Sequence, residues 1–200
     1  MATERIFIEP FGEAGDAAYR VYASTRELLF AGCGLALSNL ILPSVWEEAE
    51  ILEPIAERSF AAGGTLMETR SAVSSASILN VVPGASPAER SFVLSSRDLD
   101  LLLVDFLNEL IYLFDSEGFW GYSFEPKFAD PKSKDPAGSV DAETRLAVRT
   151  SGVILPPSAL EPEQPEDGIL GIVPKGVSYH MLEAGQGKDG RWHAQFVIDA

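Results

Sequence analysis

The stretch Asp98-Leu99-Asp100-Leu101-Leu102-Leu103-Val104-Asp105-Phe106-Leu107-Asn108-Glu109-Leu110-Ile111-Tyr112-Leu113-Phe114-Asp115 decides the fold. Leu99, Leu102, Leu103, Phe106, Leu107, Leu110, Ile111 and Phe114 recur at three- and four-residue spacings, which places them on one stripe of an α-helix. Asp105, Asn108 and Glu109 fall off that stripe, where they read as a solvated face or part of a partner surface. Gly118 ends the helix. A stripe this apolar needs another layer to cover it. Working outward, short β-branched or aromatic runs between turn residues supply one: Arg5–Glu9, Ala17–Tyr22, Arg90–Ser95, Gly121–Pro126, Thr144–Thr150, Ile169–Leu182 and Trp192–Ile198. The last two flank Gly185-Gln186-Gly187-Lys188-Asp189-Gly190, a hairpin loop by composition.

A second helix is expected between Ser24-Thr25-Arg26-Glu27, read as a capping box with Ser24 as the cap, and Pro43, which stops it. Gly32, Cys33 and Gly34 in its middle suit close packing on a sheet, and Cys33 reads as a core atom. Between the helices, Val45–Arg58 suggests a helix and Thr65–Ser71 and Ser77–Val82 suggest strands. Polar, Pro-containing tracts at 129–141 and 156–167 read as exposed loops. The expected fold is α/β of the α+β type, with two main helices on one face of a mixed, mostly antiparallel sheet and an inserted lobe between the helices. One domain, 1–200, accommodates the chain.

Composition removes several functions. Thirty acids against fifteen bases give a net charge of −15, which opposes direct nucleic-acid binding, since phosphate neutralisation needs clustered Lys and Arg. With 46% hydrophobic and 22% charged residues the chain has enough apolar matter for a core. One cysteine cannot form an intrachain disulfide, and no apolar run is long enough to cross a bilayer, so a cytoplasmic, membrane-free protein is expected. Phosphate-binding loop, paired-His and nucleophile-elbow motifs are absent. Of the two histidines, His180 with Tyr179 reads as packing and His193 as a surface strand residue; Phe119-Trp120-Gly121-Tyr122 reads as the buried start of a strand.

Three segments carry a resemblance: Leu102 to Asp115, Lys175-Gly176-Val177-Ser178-Tyr179-His180, and Trp192 to the ending Val197-Ile198-Asp199. They resemble the archease family, whose members have a Leu-Val-Asp-Trp-Leu-Asn-Glu-Leu-type helix, a Lys-Ala-Val-Thr-Tyr-His-type strand and an Asp near the C-terminus. Asp16, Arg20 and Tyr22 agree in register with the family's N-terminal motif. Where that motif reads His-Thr-Ala-Asp, this chain has Glu13-Ala14-Gly15-Asp16. Residues 46–88 and 156–167 look like insertions relative to a typical member.

The resemblance implies a protein cofactor, not itself an enzyme, that activates a GTP- and metal-dependent tRNA-splicing RNA ligase of the RtcB type. It implies metal ligation by Asp16 and Asp199, with Glu13 and the carboxylate of Ala200 assisting, and a functional Lys175 close by. An all-carboxylate set would favour Ca²⁺, Mn²⁺ or Mg²⁺. The other reading is a chaperone-like or protein-binding module that keeps the fold and has lost the site.

Overall fold

The computed structural model describes residues 6–11, 17–48, 52–54, 67–69, 78–79, 81–129, 143–160 and 170–200. Strands β1 (Ile6–Phe11) and β2 (Ala17–Ala23) lead into helices α1 (Arg26–Ile41) and α2 (Pro43–Glu48). Short strands β3 (Leu52–Pro54) and β4 (Met67–Thr69) and the long β5 (Ser86–Ser96) precede helix α3 (Leu99–Glu117). Then come β6 (Phe119–Ala129), β7 (Thr144–Ile154), the short helix α4 (Pro157–Leu160), β8 (Gly176–Gln186) and β9 (Trp192–Asp199).

The expected class holds, two main helices against antiparallel sheet, and the strands divide between two sheets. One has the order β3-β4-β1-β2-β9-β8 and the other β5-β7-β6. Helix α1 packs on β1, β2 and β9 of the first and on β6 of the second; α3 packs on β8 of the first and on all three strands of the second.

This arrangement explains why α1 is apolar all round, since a helix with sheet on two sides has no wet face to spare. Its glycines mark the two contacts. A Cβ on Gly32 would stand 2.5 Å from Ile6 Cγ2 and 2.7 Å from Val21 Cγ1, and one on Gly34 would stand 2.9 Å from the Phe124 ring. On the β6 side, Trp120 Nε1 donates to the Ser38 carbonyl at 3.0 Å and the Ser38 hydroxyl donates to the Gly121 carbonyl.

Phe106 of α3 is wholly buried where the layers meet, with ring centroids 5.5 Å from Phe30, 6.2 Å from Phe92 and 6.2 Å from Phe124. Phe119, Trp120, Tyr122 and Cys33 are buried, as expected. Trp46, Ile78 and Val82, from the tract between the helices, join the same core.

Four local expectations are corrected. The cap of α1 is Thr25, not Ser24: Thr25 has extended backbone and its hydroxyl oxygen accepts from Leu28 N at 3.2 Å. The run Ile169–Leu182 is not one strand. Gly171 N and Ile172 N donate to the Ile41 and Leu40 carbonyls at 2.8 and 3.1 Å, satisfying the open end of α1, and β8 starts only at Gly176. Helix α2 ends at Glu48, and Leu52–Pro54, placed within a helix by its pattern, is strand paired with Met67–Thr69. Ile78 and Leu79 are helical, with Val82 N donating to the Ile78 carbonyl at 2.9 Å, so no strand runs through Ser77–Val82. Short apolar runs carry too little periodicity to separate the two states.

Burial has a consequence for pH. The phenol of Tyr19 is pushed up to about 12 and the Cys33 thiol is also pushed up, both by burial. The folded state therefore holds these protons more tightly than the unfolded chain, so stability is full below the ordinary thiol and phenol range and falls as pH rises through it. Denaturant midpoints should drop between pH 8 and about pH 11. Cys33→Ser should start lower but lose less over that interval; an equal loss in both would show that Cys33 does not titrate with unfolding.

Candidate functional site

Strand β9 alternates inward Ala194, Phe196 and Ile198 with outward His193, Gln195 and Val197, so Asp199 continues the outward series and is exposed. Beside it, β8 begins in antiparallel register, Gly176 opposite Asp199 and Val177 opposite Ile198. The pairing extends one residue earlier, where Lys175 N donates to the Asp199 carbonyl at 2.8 Å. Pro174 is buried and anchors that turn into the strand, leaving Lys175 exposed. Lys175, Asp199 and Ala200 therefore share one corner of the six-stranded sheet.

Asn108 joins them. Its Oδ1 accepts from Val177 N at 3.2 Å, tying α3 to the start of β8. Asn108 is exposed, as the stripe pattern's reading of a solvated face or partner surface has it, and its position within the resembling helix segment was the available signal for more. On the other side of β9, Ala17 pairs with Ile198, so the residue after Asp16 lies opposite the residue before Asp199. Glu13 and Asp16 lie outside the described residues.

Along β8 the register breaks. Ser178 faces Val197, but the next regular pair is Glu183 with Gln195, and the intervening residues bulge out. Tyr179 is 69% exposed and Met181 45%, so these are surface residues and not the packing residues expected of Tyr179-His180. Met181 has φ 58°, a left-handed backbone costing a side-chain-bearing residue about 1–2 kcal/mol.

The bulge is held from behind. Gln195 Nε2 donates to the Met181 carbonyl at 3.0 Å, and Arg20 Nε donates to Gln195 Oε1 at 2.8 Å. Arg20 also stands over the Phe11 ring at 4.1 Å, with Nη1 3.9 Å from the buried Glu9 carboxylate. Arg20, matched by register in the sequence, thus acts as a positioning residue across four strands. Tyr22, on the same face, has its phenol raised by burial and by the Glu9 charge. His193 pairs with Glu183 at 3.0 Å.

Among the described residues no three His, Cys, Asp or Glu side chains gather where they could hold a metal. Asp199 is the one carboxylate this corner contributes from that set. An oxygen donor of this kind suits a hard divalent cation only in company with further carboxylates, and one alone does not make a metal site.

The sequence profile of the Archease protein family matches residues 61–200. The chain belongs to the archease family. Asn108, Lys175 and Asp199 fall inside the matched region, and Glu13 and Asp16 precede it. The chain is 31% identical over 157 residues to protein archease of Thermococcus kodakarensis, covering 77% of this chain and 97% of that one. It is 31% identical over 164 residues to protein archease of Methanosarcina mazei, covering 79% and 99%. The solution structure of Methanobacterium thermoautotrophicum protein 1598 superposes with a TM-score of 0.51 at 18% identity, over 96% of this chain and 98% of that one, so this archease shares its fold. Among the described residues no helix is long and apolar enough to cross a membrane.

Proposed function

We propose that this archease is a protein cofactor that activates a GTP- and metal-dependent RNA ligase of the tRNA-splicing, RtcB type. The observation that carries the reading is the corner where Lys175, Asn108 and Asp199 meet through the β8–β9 register, in a chain of this family. In this reading Asp199 holds a divalent cation together with Asp16 and Glu13, and Ala200 adds a main-chain oxygen. The ion supplies positive charge for anionic oxygens of the ligase reaction. Lys175 adds a second, fixed positive charge beside it. Asn108 keeps the start of β8 in place through Val177 N. The chain performs no chemistry of its own here and works in the cytoplasm, which its single cysteine suits.

The second reading, a chaperone-like or binding module without the metal site, draws support from Glu13 and Ala14 standing where the family motif has His and Thr. Multiple-turnover ligation by the purified ligase of the same source separates the two. Wild type should restore repeated turnover, and Lys175→Ala should lower the maximal activation by about tenfold or more, the scale of a lost charge-assisted contact. Binding without any activation would select the second reading.

A further inference from the structure

Two side chains of α3 clamp β8 at separate points. Asn108 takes Val177 N and Asp100 takes Ala184 N, the latter at 2.5 Å. From Asp100 to Asn108 the helix rises about 12 Å, whereas an extended chain from Val177 to Ala184 spans about 23 Å. The surplus chain has nowhere to go but outward. It emerges as the Tyr179–Leu182 bulge, against the backbone preference of Met181 and with its carbonyl held by Gln195.

An aromatic and a thioether are thus held at the surface by a clamp in front and a polar network behind. The flank of α3 next to the clamp adds Leu101, 43% exposed, and Tyr112, 60% exposed, with Asp105 between them. Large apolar groups held out in a strained backbone are the makings of an interaction surface.

Its charge says what fits. Helix α3 carries Asp100, Asp105, Glu109, Asp115 and Glu117 and no Lys or Arg; Glu117 is paired with Arg90 and Asp100 holds Ala184 N, so Asp105 and Glu109 supply the charge beside the apolar residues, in a chain of net charge −15. A second copy would set acid against acid, and a nucleic acid would be repelled. We propose that the β8 bulge, Tyr179 and Met181, together with Leu101, Asp105 and Tyr112 of α3, is the docking surface for a basic protein partner that receives the apolar side chains in a recess. An RNA ligase must carry clustered Lys and Arg to hold its substrate, so it has this chemistry. The inference rests on the proposed function for the identity of the partner and goes beyond it in assigning docking to the bulge and the exposed stripe of α3, which adjoin the Lys175–Asp199 corner through Asn108.

The test titrates the full chain against the purified ligase of the same source, by calorimetry and in multiple-turnover ligation. Tyr179→Ala with Met181→Gly removes both side chains, and glycine accepts the positive φ, so the melting temperature should hold or rise. Affinity should fall by about tenfold or more, as for central interface anchors. The concentration for half-maximal activation should rise accordingly, with the maximum unchanged, the opposite of the pattern expected for Lys175→Ala. Leu101→Ala with Tyr112→Ala, on a different element, should weaken binding in the same sense. Asp105→Asn with Glu109→Gln should flatten the salt dependence of the affinity.

Affinity within twofold of wild type for both apolar double variants would overturn the docking surface and leave the activator function standing. A wild-type chain that neither binds nor activates the ligase would overturn both. A dimer in sedimentation that the bulge variant dissociates, with ligase affinity intact, would make this face a contact between copies and overturn the proposal.

Discussion

Phe106→Ala is expected to destabilise the protein by about 3–5 kcal/mol, the range for truncating a fully buried aromatic. For a chain of this size that is a fall in melting temperature of about 6–20 °C. The site is sensitive to such a loss of packing because Phe106 packs against aromatic rings of three elements, Phe30 of α1 and Phe92 of β5 and Phe124 of β6 in the three-stranded sheet. Those three rings sit on different elements that cannot close in together, so the cavity persists. Tyr112→Ala, six residues further along the same helix but 60% exposed, should change stability by no more than about 0.5 kcal/mol. Chemical denaturation of both variants checks the pair. A cost below about 1 kcal/mol for Phe106→Ala would mean that the second sheet is not held through this ring.

The same residue shows what the sequence could reveal. The stripe from Leu99 to Phe114 announced Phe106 as core because helical spacing over sixteen residues has few competing explanations. It could not announce two sheets. A helix apolar on one stripe and a helix apolar all round both imply burial, and only the opposed glycines of α1, one against Ile6 and Val21 and the other against Phe124, say that sheet lies on both sides.

Cap and strand ends were harder. Ser24 and Thr25 are equivalent cap residues one position apart, and the choice fell to which hydroxyl meets Leu28 N. Gly171 and Ile172 look like strand but spend their amides on the last carbonyls of α1, a tertiary demand no local pattern encodes.

At the candidate site the resemblance named Lys175 and Asp199, and the β8–β9 register brings their backbones together. It was silent on Asn108 as a clamp and on the exposure of Tyr179 and Met181. The exposure follows from the clamp, because Asn108 and Asp100 hold more chain of β8 than the helix rise between them can match, and that becomes visible only when α3 is laid beside β8. Residue type alone misled here: a Tyr-His pair in an apolar strand reads as packing, yet the extra residues of the bulge turn it to solvent.

Addition of Ca²⁺, Mn²⁺ or Mg²⁺ is expected to raise the melting temperature of the wild type and to leave Asp199→Asn unmoved. In the proposed site the carboxylates would repel one another without metal, a cost that a bound cation would remove, and binding only to the folded state stabilises it by mass action. At one hundred times the dissociation constant the gain is about 2.7 kcal/mol, or about 5–11 °C for a chain of this length. Asp199→Asn keeps the shape of the side chain and the β8–β9 hydrogen bonds, which use backbone atoms, while removing one ligand charge. Without metal it should be at least as stable as wild type, since one of the repelling charges is gone. Asp16→Asn should respond in the same way if Asp16 shares the proposed site, a sharing that the pairing of Ala17 with Ile198 supports. Equal metal responses in wild type and Asp199→Asn would remove Asp199 from the ligand set. A response lost in Asp16→Asn alone would move the cation to the segment between β1 and β2 and away from Lys175, leaving the β8 corner as a contact surface and no more.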